Sequence, residues 1–317
     1  VSVDLTVTEP SGVARDGEGV HSGVPFAEGE LDTVDDLILT DADGTPVPAQ
    51  FETLSTWDDG SIRWALVVFR ESVGAGQSSR YTLRTRKRGE EIPRPARVTV
   101  TDTNDVFTVD TGAIAFDIPI YENTIIDNIR RKAPDGSWQT VSSDGLEAVI
   151  WRGGHKRFKS RVEQCTVESA GPERAVLRIE GHHLLWDHFN TMWDPAEIAT
   201  FKFVARVFCH AGSDRIRLQY TFINDNRDNK IRPSERYHVY EMEELAAYKW
   251  VNGHWVERPA GIKFREQELL SNDYGQIAVK DIKLRLALDG EYDSYSFGKS
   301  GGGESSGTID GPVALEQ

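Results

Sequence analysis

A chain of 317 residues exceeds the ~100–150 residues usual for one domain, so two domains are the first expectation. Its 38% hydrophobic and 9% aromatic content can build real cores and argues against intrinsic disorder. Acidic residues outnumber basic ones 51 to 36, for a net charge of −15 with no basic stripe in the sequence, which excludes nucleic acid as a partner. No run approaches the ~18 apolar residues of a membrane span.

In chain order, Ile62–Phe69 is apolar on both faces apart from Arg63, as in a central strand of a barrel-like core. Residues Arg86–Arg97 (RKRGEEIPRPAR) combine charge, Gly and Pro with almost no apolar content and read as a linker. The expected division is a barrel over residues 1–92 and a sandwich over 93–317, with strand structure resuming at Val98–Val109. Ala175–His182, Phe201–Phe208 and Arg215–Phe222 alternate apolar and polar residues with period two, the signature of half-buried antiparallel strands, Phe201–Phe208 lying deepest. In Asp281–Leu288 the same pattern turns Ile282, Leu284, Leu286 and Leu288 inward. Asp43-Gly44, Asp59-Gly60, Asp135-Gly136, Asn252-Gly253 and Asp289-Gly290 mark turns between short strands. Only Glu241–Trp250 suggests a helix, and a short one.

The predicted fold class is therefore all-β: a small N-terminal barrel followed by a large antiparallel β-sandwich. Gly298–Gly307 reads as a flexible loop, and the strand-like Pro312–Leu315 just before the last residue suggests a longer natural protein. Val1 either follows a removed signal peptide or reflects trimming. Cys165 and Cys209 form one bridge or, as the favoured reading, are two buried small hydrophobes.

The stretches Ser22–Leu31 (SGVPFAEGEL), Leu37–Gln50 (LILTDADGTPVPAQ) and Trp57–Leu66 (WDDGSIRWAL) resemble the N-terminal RIFT-type barrel of exo-rhamnogalacturonan-lyase-like and YetA-like proteins. Val109–Phe116 (VDTGAIAF) and Phe203–Asp225 (FVARVFCHAGSDRIRLQYTFIND) resemble the central β-sandwich of the same family. The resemblance implies a three-part protein whose C-terminal α/α toroid is missing here and would be a partner within the same gene product. It also implies a secreted, extracellular or periplasmic polysaccharide lyase acting on an acidic polysaccharide.

Such a lyase must neutralise a uronate carboxylate, remove the C5 proton and protonate the leaving oxygen. The densest candidate is His182–His188, with Trp193 beyond. His182 and His183 face opposite ways on a strand, so only one of them joins a given site. His183 and His188 are candidate catalytic residues, and Trp186 and Trp193 candidate sugar-stacking rings on the loop that follows. Solvated histidines and sandwich-capping tryptophans are the alternative. Arg236-Tyr237-His238 offers Tyr237 or His238 as base and Arg236 for a carboxylate, or else an ordinary strand. Arg152–Arg157 (RGGHKR) supplies Arg152 and His155 as substrate contacts, or else a basic hairpin turn.

Asn224, Asn226, Asp228 and Glu235 fall at positions 1, 3, 5 and 12 of an EF-hand-type loop, so calcium is a possible cofactor, but the missing first Asp and missing helices favour a polar turn. Asp59-Gly60 and Trp64 are expected to be structural, Trp64 as a core residue. The leading function is β-elimination on a uronate-containing polysaccharide. The alternatives are a non-catalytic carbohydrate-binding module and a structural extracellular protein on the same fold.

Overall fold

Alternation in the sequence becomes two separate β cores. The computed structural model describes residues 1–91, 93, 98–152, 157–185, 199–224, 248–251, 254–257, 279–290, 294–298 and 304–309. The first unit contains β1 (Ser2–Thr8), β2 (Arg15–Pro25), β3 (Leu37–Asp41), β4 (Pro46–Val47), β5 (Ala49–Thr56), β6 (Ile62–Val73) and β7 (Ser78–Thr85). They form a four-stranded sheet, β1-β7-β3-β4, and a three-stranded sheet, β2-β6-β5, in which β6 is central. Between the sheets lie Val24, Leu37, Leu39, Ile62, Ala65, Val67, Phe69 and Leu83, all almost fully buried.

Trp64 departs from the expectation of a core position. Because Ala65, Val67 and Phe69 point inward, Trp64 falls on the outer face of β6, and its indole is 39% exposed. The β5–β6 ladder slips at Thr53/Ser55, beside the Ser55–Trp64 pair, so simple alternation from Ile62 fails there. The Asp59-Gly60 turn is a real one. Gly60 has φ +88°, and Asp59 accepts from the Ser61 backbone N–H at 2.9 Å.

The second unit begins with β8 (Thr99–Asp102), β9 (Val106–Asp110), β10 (Ile114–Pro119), β11 (Asp127–Lys132) and β12 (Trp138–Ser142), a five-stranded sheet in the order β12-β11-β10-β9-β8. Facing it are β13 (Leu146–Arg152), β14 (Arg157–Ala170), β15 (Arg174–Leu185), β16 (Ala199–His210) and β17 (Ile216–Ile223). Two strands, β18 (Tyr248–Val251) and β19 (His254–Glu257), form a separate hairpin, and β20 (Val279–Leu286) completes a six-stranded sheet, β17-β16-β15-β14-β13-β20. A last hairpin joins β21 (Ser294–Gly298) and β22 (Glu304–Thr308). Val109, Phe116, Ile118, Ile125, Leu177, Ile179, Phe203 and Val207 fill the space between the two sheets. Cys165 and Cys209 are both free thiols on this apolar side.

Two expectations change here. Tyr248–Trp250, the end of the expected helix, is strand. The aromatic Tyr248 and Trp250 pair across a hairpin with Glu257 and Trp255, and a local partner strand outweighs weak helical propensity. Residues 241–247 lie outside the described residues. The row Ile282, Leu284 and Leu286 does share the face of Ile150, Ala148 and Leu146, its register partners. It is nevertheless 44–49% exposed, because β20 is the edge strand of its sheet.

The linker begins as a pinned turn. Arg84 grips both oxygens of Glu90, whose carboxylate also accepts the Lys87 backbone N–H at 3.0 Å. The arginine hydrogen bond, followed by the backbone one, lowers the Glu90 pKa to about 2. Beyond it the barrel docks on the sandwich through a polar seam. Gln50 Oε1 accepts the backbone N–H groups of Glu173 and Arg174 at 3.1 and 2.9 Å, and its Nε2 donates to Ser169 Oγ at 3.2 Å. Glycine makes the approach possible. A Cβ on Gly171 would lie 2.1 Å from the Gln50 amide carbon, and one on Gly19 would lie 2.4 Å from the His210 ring.

Candidate functional site

The strand ends that flank all three candidate segments lie along one end of the six-stranded sheet. Trp151 pairs with Arg157, Phe158 with Leu185, Leu184 with Ala199, and Lys202 with Ile223. At this end, therefore, β13 stops, β14 starts, β15 stops, β16 starts and β17 stops. β20 also enters here, with Val279 opposite Arg152.

Of the residues singled out from sequence, Arg152 is the last residue of β13 and His183 lies in β15. His155, Trp186, His188, Trp193, Arg236, Tyr237 and His238 lie outside the described residues, as does the oxygen-rich run after Asn224. Among the described residues, no three His, Cys, Asp or Glu side chains gather as a metal site requires.

His182 and His183 do point opposite ways. His182 faces outward, with Nδ1 3.0 Å from Glu163. His183 has no exposed surface and lies in β15 two residues from its end. Its Nδ1–H donates to the Phe201 carbonyl at 2.8 Å, which leaves Nε2 to accept the Tyr220 O–H at 2.6 Å. The Phe201 carbonyl is presented by unusual backbone. Phe201 has φ +46°, next to the place where the β15–β16 register shifts.

Aromatic rings hold this pair. Phe203 lies 5.4 Å and Phe222 5.9 Å from the His183 ring, while Tyr220 stacks on Phe203 at 5.5 Å and 13°. Burial pushes the Tyr220 phenol far above its usual pKa, so it keeps its proton and remains a donor. The two residues form an oriented O–H···N pair. His183 itself is fully buried.

Sequence reasoning reached His183 but not Tyr220, which looked like one more inward residue between Leu218 and Phe222. The available signal was its hydroxyl, the single polar tip in an otherwise apolar row. On the other face of the same sheet end, Arg157 lies over the half-buried Trp151 indole at 6.0 Å, and Lys159 bridges to Glu147 at 2.6 Å.

Comparison with known proteins finds the same two units. The PcRGLX-like N-terminal RIFT barrel domain matches residues 8–86, and the PcRGLX-like protein central beta sandwich domain matches residues 98–232. The protein YetA of Bacillus subtilis is 28% identical over 226 residues, which is 68% of this chain and 24% of that protein. This chain thus spans about a quarter of the curated relative's length (24%). Two solved structures from Enterococcus faecalis, an alpha-mannosidase and a protein in glycosyl hydrolase family 38, align with TM-scores of 0.45 and 0.44 at 12% and 13% identity. Each alignment covers 70% of this chain, and 30% and 31% of the respective structures.

Proposed function

Since the chain belongs to the PcRGLX-like family and carries its barrel and central sandwich in order, we propose that it is the barrel-and-sandwich part of a secreted polysaccharide lyase. Its substrate is a uronate-containing glycan and its reaction is β-elimination. A base takes the C5 proton, the C4–O4 bond breaks, a C4=C5 double bond forms, and the departing oxygen receives a proton. No water is consumed.

The end of the six-stranded sheet is the place for this chemistry. The segments that leave it carry His188, Tyr237 and His238 as candidate bases, Arg152, His155 and Arg236 for the carboxylate, and Trp186 and Trp193 for the sugar rings. His183 holds Tyr220 in a fixed donor orientation within the sheet. The observation that carries this reading is that the strand ends from which these three segments leave lie at one end of the sheet.

The test is to incubate the protein with de-esterified polygalacturonate, rhamnogalacturonan and glucuronan, and to follow the ultraviolet absorbance of unsaturated uronate. Product from at least one polymer is expected. Binding to a polymer without any product would overturn the lyase reading in favour of a non-catalytic glycan-binding module.

A further inference from the structure

Strands that show no basic stripe in sequence assemble a basic face once paired. Between the Arg161 row and the Arg217 row, the outward face of β14–β17, opposite the sandwich core, carries Arg161, Arg178, Lys202, Arg206 and Arg217, and Arg157 and Lys159 lie beyond it toward the sheet end. Register fixes their layout. Arg161, His182 and Lys202 form one row across the strands, Arg178 and Arg206 lie side by side in a second, and Arg217 stands opposite Phe208 in a third. Lys202 to Phe208 is six residues of strand, so the rows span ~20 Å.

The acids on this stretch are Glu163, Glu168 and Glu180, so it holds five formal cations against three carboxylates in a chain of net charge −15. They are also shared. Arg178 and Lys202 both reach the same Glu180 oxygen, at 3.0 and 2.8 Å. Arg206 holds Glu168 through two bonds of 2.8 and 2.9 Å. Arg161 and Arg217 make no ion pair among the described residues, and Arg217 instead lies over the Phe208 ring at 5.3 Å. Arg178 Nε is buried with no hydrogen-bond partner among the described residues.

We propose that this outer sheet face binds a polymer of spaced carboxylates, the acidic glycan itself, along the rows from Arg161 and Lys202 to Arg217. The inference rests on the proposed substrate class but not on catalysis at the sheet end. Arginine suits it, because its planar fork meets a carboxylate with two hydrogen bonds. Glu168 and Glu180 already occupy such positions, and partly exposed ion pairs are weak enough for a ligand carboxylate to exchange with them. Acids interspersed with the cations suit a polymer with one charge per sugar better than the denser charge of a nucleic acid.

The experiment is calorimetric titration of the whole chain with de-esterified polygalacturonate oligomers at low salt. Neutral dextran oligomers and single-stranded DNA serve as comparison ligands. The Arg161→Gln/Arg217→Gln double variant should bind the acidic oligomer at least ten-fold more weakly, while Arg80→Gln, an exposed arginine on the barrel, should leave binding unchanged. Should the double variant fail to fold, Arg217→Gln alone should still weaken binding several-fold. Unaltered affinity in the folded variant would overturn the proposal, as would equal affinity for dextran or tighter binding of DNA. Absence of elimination product with this binding intact would sink the lyase reading alone. Product formation with unaltered binding in the variant would sink this one alone.

Discussion

Replacing Gln50 with Leu separates a docked pair of domains from two independent ones. Gln50 is 6% exposed, and its Oε1 takes the N–H groups of Glu173 and Arg174 at 3.1 and 2.9 Å. Leucine fills a similar volume but accepts nothing, so both donors lose this partner inside the seam. Each buried donor left without an acceptor costs ~1–3 kcal/mol, which puts the loss at roughly 2–6 kcal/mol for the pair. Gln50→Glu keeps an accepting oxygen but loses the Nε2 donor to Glu52 and Ser169 and buries a carboxylate against Glu52, so it should destabilise as well. The assay is urea unfolding followed by tryptophan fluorescence and far-ultraviolet circular dichroism. The native protein should show coincident transitions, and Gln50→Leu should lower the midpoint and split them. An unfolding free energy within ~0.5 kcal/mol of the native protein would refute the seam as a source of coupling.

Other consequences follow from buried groups. The His210 pKa is lowered to about 4 by burial and then by Arg174, His21 and Arg70, with Glu18 opposing. Its stabilising neutral form is therefore fully present above the ordinary value of 6.5 and is lost as pH falls from there toward 4. Allowing for solvent screening this amounts to ~2 kcal/mol, and His210→Gln should flatten the acid limb of a stability–pH curve, whereas an unchanged slope would contradict the assignment. A Cβ on Gly181 would lie 1.9 Å from the Arg161 carbonyl oxygen, so Gly181→Ala should cost ~3 kcal/mol or more in urea unfolding, and a loss below ~1 kcal/mol would be a failure. Burial pushes the thiol pKa values of Cys165 and Cys209 up to about 12, so iodoacetamide should label them only after denaturation, as mass spectrometry would show.

Much of the fold was legible in the sequence because period-two alternation fixes which residues share a face. Arg215–Phe222 became β17, and the opposite orientation of His182 and His183 followed from one extended strand. The Asp-Gly pairs marked turns because the glycines at 44, 60, 136 and 290 take positive φ, where a side chain is strained. Alternation does not say which face is covered. For that reason alternation points Trp64 and the row Ile282, Leu284, Leu286 and Leu288 inward, although a ladder slip at Trp64, the edge position of β20 and, for Leu288, a place beyond its end leave all of them partly exposed.

The same limit hid the proposed surfaces. Tyr220 meets His183, and Arg178 meets Arg206, only through pairing between strands far apart in the chain. The basic face is invisible in a chain whose net charge is −15, because its cations come from four different strands. That β13, β15 and β17 all stop at one end of a sheet, where β14 and β16 start, is likewise a matter of topology, which no local pattern encodes.

The decisive measurement is to let the protein act on a uronate polymer in water enriched in oxygen-18 and to weigh the new chain ends by mass spectrometry. Elimination leaves unsaturated uronate ends and puts none of the heavy isotope into the newly formed termini beyond ordinary anomeric exchange. Saturated ends carrying one heavy oxygen for each bond cut would mean hydrolysis and would contradict the account.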